Sequence, residues 1–313
     1  MLIDWLSIKN PVYRKWRWSV KDACMLYEDG TFYLFFSAFY RDRGRIRSHV
    51  VAVKTKDWKA FSEPIFIIDG RDGSWTGMCS PNISRIADRF LLTFNSWGGS
   101  HPNGRTNNLF YIISDDLESW SSPEPIAENL VDDYSVIDIA LAENKGKYYV
   151  MLKEEEDLSG QRTKITKIAV GDALNADFQW IGNGKCTFRV QNGSESQRIH
   201  ENYQFIVIDG NWHVLSTDYS PHRPWLYRME SSGLDVADED WLTWIDGYEL
   251  EVPQECFNPN HRSNAAFLAD WRHHAGYFYL LYAGRRQGIT HAGRGHNKLG
   301  LARSRDLKNW EVP

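Results

Sequence analysis

A unit of about 60 residues recurs five times along this chain of 313 residues, and a repeat on that scale restricts the fold more than any local propensity does. Each unit holds a short apolar strand, a turn with Gly or Asp, and a second strand rich in aromatics. The units read DACMLYEDGTFYLFFSA from Asp22, SPNISRIADRFLLTFNSW from Ser80, DIALAENKGKYYVMLKE from Asp138, ENYQFIVIDGNWHVLSTD from Glu201 and NAAFLADWRHHAGYFYLLYAG from Asn264. Their starts lie 58, 58, 63 and 63 residues apart. A third strand then leads to a D-x-x-x-W type ending, as in VVAVKTKDWKAF, LFYIISDDLESW and LGLARSRDLKNW. The short β-branched and aromatic runs, bounded by Gly, Asp, Asn and Pro, read as antiparallel strands. Helical periodicity of any length is absent.

One such unit cannot bury both of its faces, but five stacked around an axis can. The pattern therefore predicts an all-β, five-bladed β-propeller with four antiparallel strands per blade. The whole of 1–313 forms the single domain, with blades starting near 20, 78, 136, 199 and 262. Blades of the WD40 type are shorter and carry a signature missing here. The last blade ends at Trp310-Glu311-Val312-Pro313, and residues 1–8 are a candidate extra strand to close the ring.

Composition narrows the function classes. With 42% hydrophobic and 25% charged residues the chain is too apolar for disorder. A net charge of −5 argues against general nucleic-acid binding, and no apolar run approaches a membrane span. Cys24, Cys79, Cys186 and Cys256 are scattered, without a CxxC pair, which indicates neither a zinc site nor a disulfide framework. No signal peptide is evident, so a cytoplasmic location is the expectation. The 14 Trp, 15 Tyr and 15 Phe fall largely in second strands (Phe32, Phe90, Tyr149, Tyr279) or at blade ends (Trp58, Trp120, Trp180, Trp310), which makes most of the aromatic excess architectural.

In a four-stranded blade the innermost strands line the axis, and their first residues converge. Here those residues are Asp22, Ser80, Asp138, Glu201 and Asn264. One acid at a strand start is commonly a turn residue facing water. Acids at corresponding positions of three blades point instead to a site, and neighbouring carboxylates in unequal environments are the usual apparatus for glycosidic cleavage. Trp18, Trp75, Trp97, Tyr134 and Trp225 fall on the same face, as platforms for sugar rings or as packing between blades.

At these residues the chain resembles the five-bladed glycoside hydrolases of family 43 and its relatives. The resemblance rests on the inner-strand acids, the G/D-x-[FY]-[YF]-L second strand and the closing S-x-D-L-x-x-W of 114–120 and 304–310. It implies an inverting glycosidase in which Asp22 is the general base, Asp138 tunes and orients the acid, and Glu201 is the general acid. Two departures stand out. Family members usually carry Asp-Pro and Glu-Gly-Pro, where this chain has Asp22-Ala23 and Glu201-Asn202-Tyr203. The run His200-Glu201 makes His200 a candidate co-actor or substrate contact, although neighbours on a strand face opposite ways.

The loops on that face hold Arg41, Arg43, Arg45, His101, Arg105, His222, Arg223, Arg285, Arg286, His291, Arg294 and His296, in a protein that is acidic overall. Arg forks suit carboxylates and phosphates, so an anionic sugar is one expectation, with Arg223 and Arg285 as contacts; a merely soluble rim is the other. The resemblance also implies a structural calcium near the axis, with His261 the nearest candidate ligand, and no cofactor for the chemistry itself. The Glu154-Glu155-Glu156 run reads as a solvated loop. The leading expectation is an oligosaccharide-cleaving hydrolase acting on pentose or uronate units. A phosphorylase of the same fold, a non-catalytic carbohydrate-binding propeller and a protein scaffold are the alternatives.

Overall fold

The computed structural model describes residues 3–70, 75–98, 107–131, 134–157, 162–286 and 296–313, and its architecture is almost entirely β. The chain runs as successive antiparallel meanders. The first comprises β1 (Ser19–Glu28), β2 (Thr31–Asp42), β3 (Arg45–Thr55) and β4 (Phe66–Asp69). The second comprises β5 (Gly77–Ile86), β6 (Arg89–Trp97), β7 (Leu109–Ser114) and β8 (Glu124–Pro125). The third comprises β9 (Tyr134–Asn144), β10 (Lys147–Asp157), β11 (Arg162–Gly171) and β12 (Gln179–Lys185). A short strand, β13 (Thr187–Val190), precedes the fourth, which comprises β14 (His200–Ile208), β15 (Asn211–Asp218), β16 (Pro224–Met229) and β17 (Thr243–Glu249). The last comprises β18 (Asn264–Trp271), β19 (Tyr277–Gly284), β20 (Lys298–Ser304) and β21 (Trp310–Glu311). The one α-helical segment among the described residues is a single turn, Arg272–Ala275.

The sheets depart from a strict four-strand pattern in two places. β13 joins the outer edge of the fourth meander, parallel to β17, giving that sheet five strands. The first two meanders touch through one parallel pair, Ser48 with Gly77, and so form a single eight-stranded sheet. A Cβ at position 77 would collide with the Ser48 side chain and backbone, so only glycine permits this approach.

The innermost strands close a ring. β1 packs against β5, β5 against β9, β9 against β14, β14 against β18, and β18 back against β1. Apolar cores lie between adjacent meanders, which is why the second strands are apolar on both faces. In β10, Val150 and Leu152 pack toward β6 and β7, whereas Tyr149 and Met151 join the core shared with β14–β17. Two-residue alternation thus assigns each side chain of a second strand to one neighbour or the other.

Among the described residues, 3–8 do not form a closing strand. Trp5–Ser7 form a 3-10 turn, and the chain reaches the last sheet further on. The Asn10 amide accepts from Leu301 N–H and donates to Leu301 C=O, both at 2.9 Å, and Tyr13 makes an isolated antiparallel bridge to Leu299.

Candidate active site

All five inner strands carry the same irregularity. Each ladder skips two residues opposite one: after Lys21 in β1, Cys79 in β5, Ile137 in β9, Glu201 in β14 and Asn264 in β18. The first skipped residue adopts left-handed backbone: Asp22 (φ 51°), Ser80 (55°), Asp138 (60°), Asn202 (52°) and Ala265 (46°). Such bulges re-aim side chains, and Asp and Asn tolerate left-handed backbone better than most residues. Equal backbone geometry therefore corrects the repeat register in the last two meanders. The counterparts of Asp22 are Asn202 and Ala265, while Glu201 and Asn264 correspond to Lys21.

Asp22, Ser80, Asp138 and Asn202 line one narrow cavity with Pro81, Tyr203 and Ala265. Asp138 is its hub. Its Oδ1 accepts from Ser80 Oγ at 2.8 Å and Asn202 Nδ2 at 3.2 Å, and its Oδ2 lies 3.4 Å from Lys153 Nζ. Lys153 Nζ also donates to Glu201 Oε2 at 2.9 Å, and His222 Nδ1 stands 3.8 Å from Glu201 Oε1. Lys21 Nζ lies 2.9 Å from Asp22 Oδ1. Asp22, Asp138 and Glu201 are 4%, 5% and 8% exposed, so their charges are affordable only with partners, which the two ammonium groups supply.

The environments of the acids differ. Burial raises the proton affinity of Asp22, partly offset by Lys21 and reinforced by Asp138. Burial also works against ionisation of Glu201, but His222, Lys153 and Lys21 outweigh it and hold the carboxyl down at about 2. Lys153 was not among the residues singled out by motif, because it ends an apolar run and precedes three glutamates. Strand parity was the available signal, since position 153 faces the same way as Tyr149 and Met151. Those glutamates are not a solvated loop: β10 continues to Asp157, and Glu154 is 2% exposed and paired with Lys167 at 2.5 Å.

The other candidates fall in varied places. His200 is buried on the opposite side of its strand from Glu201, where Ser216 Oγ and Tyr227 OH lie 3.0 and 3.2 Å from its two ring nitrogens. Trp75 is buried edge-on to Phe110, and Trp225 is buried against Tyr227 beneath Arg198. Neither offers an open platform. Trp18 is half-buried beside Phe36, and Trp97 packs edge-on to Phe39. Tyr134 begins β9, and its side chain is outside the described residues.

Arg223 is engaged by Glu249 and by Asn260 C=O. Arg285 is half-buried, and Asn264 is half-buried at the head of β18. Arg41, Arg43 and Arg45 lie exposed on the β2–β3 hairpin, and Arg286 is exposed as well. His101, Arg105, His291 and Arg294 lie outside the described residues. His261 is exposed, with Nδ1 2.9 Å from Val252 C=O. Among the described residues no three His, Cys, Asp or Glu side chains are grouped to hold a metal ion.

No family model matches the chain, and no curated protein matches it in sequence. Solved structures do match in fold. The GH43_1 enzyme from Xanthomonas citri, complexed with xylotriose, superposes with a TM-score of 0.65 at 14% identity, over 98% of this chain and 93% of that one. The β-xylosidase/α-arabinofuranosidase CoXyl43 from a compost microbial metagenome gives 0.64 at 14%, over 98% and 97%. An exo-1,5-α-L-arabinanase from a bovine ruminal metagenomic library gives 0.60 at 12%, over 94% and 96%. Over nearly its whole length, the chain resembles the GH43 glycoside hydrolases and has their fold.

Proposed function

We propose that this protein is a glycoside hydrolase that cleaves pentose-containing oligosaccharides with inversion, on a five-bladed propeller whose fourth blade is widened by β13. The observation that carries the proposal is the convergence of three buried carboxylates from three different inner strands, Asp22 and Asp138 lining one cavity and Glu201 tied to Asp138 through Lys153. The likeness in fold to enzymes titled xylosidase and arabinanase supports the substrate class.

Asp22 is the base. It takes a proton from water, whose oxygen attacks the anomeric carbon opposite the leaving group. Its burial suits that role, because a carboxylate with raised proton affinity is the stronger base. Glu201, ionised in the free site, must first take up a proton from solvent and then donates it to the departing glycosidic oxygen. Asp138 touches Ser80, Asn202 and Lys153 and so fixes the geometry between the two. The carboxylates themselves supply the acid and the base, so the chemistry asks for no cofactor.

The test is release of xylose or arabinose from a panel of xylo- and arabino-oligosaccharides, alongside uronate-bearing ones, with and without phosphate. Asp22→Asn and Glu201→Gln should each lower kcat by about 10²–10⁴-fold. Turnover retained in both variants overturns the assignment. Strict dependence on phosphate converts the reading to a phosphorylase.

A further inference from the structure

The residue paired with the one before each bulge is Ser37 in β2, Asn95 in β6, Lys153 in β10, Thr217 in β15 and Ala283 in β19. In the first two blades this position serves the scaffold. Ser37 Oγ accepts the bulge N–H of Ser80 in the next blade at 2.8 Å, and Asn95 Oδ1 accepts that of Asp138 at 3.0 Å. A lysine has no acceptor and cannot repeat this bond. Lys153 occupies the same position, also points to the next blade, and delivers a charged donor to the Glu201 carboxylate instead.

The geometry points to Lys153 as a positioning residue for catalysis: a buried ammonium, substituted into a scaffold-capping position, that clamps Glu201 to Asp138 and withholds the proton from Glu201 until substrate arrives. This rests on the hydrolase reading above. Burial leaves Lys153 1% exposed, so its charge is answered by the carboxylates around it and not by water. The groups facing Glu201 come from every packed element: Lys153 with Glu155 and Asp138 behind it from the third blade, Lys21 and Asp22 from the first, and His222 from the β15–β16 turn. Both ammoniums and His222 favour the ionised form. A Glu201 that must donate a proton therefore needs its Lys153 bond exchanged for a substrate oxygen, which accepts from the ammonium equally well.

Lys153→Met removes the clamp. Glu201, the lower-titrating of the two carboxyls, sets the acid side of the kcat/KM profile, which should move upward by about 1 pH unit or more, since an opposite charge at this range displaces a carboxyl titration by about 1–3 units. Lys153→Arg, which keeps the charge and the donors, should hold the profile near that of the parent. The same displacement should appear in the ¹³C titration of the Glu201 carboxyl, which needs no turnover and reports on a folded protein. An unmoved Glu201 titration in Lys153→Met overturns the role of Lys153, even where Glu201→Gln is inactive and the hydrolase reading stands. A displaced titration in a protein that hydrolyses no glycoside leaves the clamp in place and sinks the hydrolase reading.

Discussion

His200 and Glu201 are neighbours in sequence but opposites in environment. The imidazole is 3% exposed, shut among Phe188, Ser216 and Tyr227, and burial with Arg198 nearby holds it down at about 3. Between that value and the ordinary 6.5, the unfolded chain binds a proton that the folded chain refuses. Stability must then fall as pH drops from about 6.5 toward 3, by at most about 1.4 kcal/mol per pH unit. Glu201, depressed to about 2, adds a loss of the same sign below its ordinary 4.5, while the raised Asp22 opposes it. Both persist in a His200→Gln variant, so the difference between the two proteins isolates the imidazole. Urea unfolding should show the parent losing its advantage over the variant between pH 7 and 4; a difference independent of pH refutes this. At this scale Asp22, Asp138 and Glu201 stand out in the sequence as acids interrupting apolar strands, but that Asn202, and not Glu201, is the counterpart of Asp22 was not legible, since it turns on which residue is left-handed. Nor was Lys153, since a lysine after an apolar run looks like the end of a strand.

At the scale of the element, the recurring closing motif has a local cause. In Ser114–Trp120 the Ser114 Oγ accepts from Leu117 N–H at 2.8 Å, Asp116 Oδ1 accepts from Glu118 and Ser119 N–H, and Trp120 Nε1 donates to Leu117 C=O. Ser304–Trp310 repeats the Asp and Trp bonds around Asp306 and Leu307. In the first meander, Trp58 takes the left-handed position of Leu117 and Leu307, so Phe61 and not Trp58 stands in the place of the closing tryptophan. The motif was readable as a blade end; which aromatic does what was not, because register here depends on one left-handed residue. The bulges pose the same difficulty, and they rely on the preceding blade. Asn95 is fully buried, and its Oδ1 is the acceptor for the Asp138 N–H. Asn95→Leu strands that donor at a cost of about 1–3 kcal/mol and loosens Asp138, so both the denaturation midpoint and kcat should fall. Asn95→Ser, which keeps an uncharged acceptor of the kind Ser37 supplies in the first meander, should lose less. Equal losses in the two would show that packing, and not this bond, holds the bulge.

For the whole molecule, the repeat period made the fold class legible, since nothing but a repetitive β architecture accommodates five such units. Contacts that tie the ring together were not legible, because single amides make them. Gln204 both donates to Leu268 C=O and accepts from Leu268 N–H at 2.7 Å, joining the fourth and last meanders, and Asn82 donates across to Tyr203 C=O at 2.6 Å. Asn10 does the same work at the seam. Its side-chain amide pairs with both backbone groups of Leu301, a fully buried residue of β20, and its Nδ2 also donates to Glu255 at 2.7 Å. One side chain thereby substitutes for the strand that residues 3–8 do not form. Asn10→Ala leaves a buried N–H and C=O unpaired, and each unmade bond costs about 1–3 kcal/mol less whatever water recovers. The expected result is a lower unfolding midpoint with earlier hydrogen exchange confined to β20 and β21. Exchange that accelerates equally in all the meanders would mean that the seam carries no separate weakness and that the ring opens only as a whole.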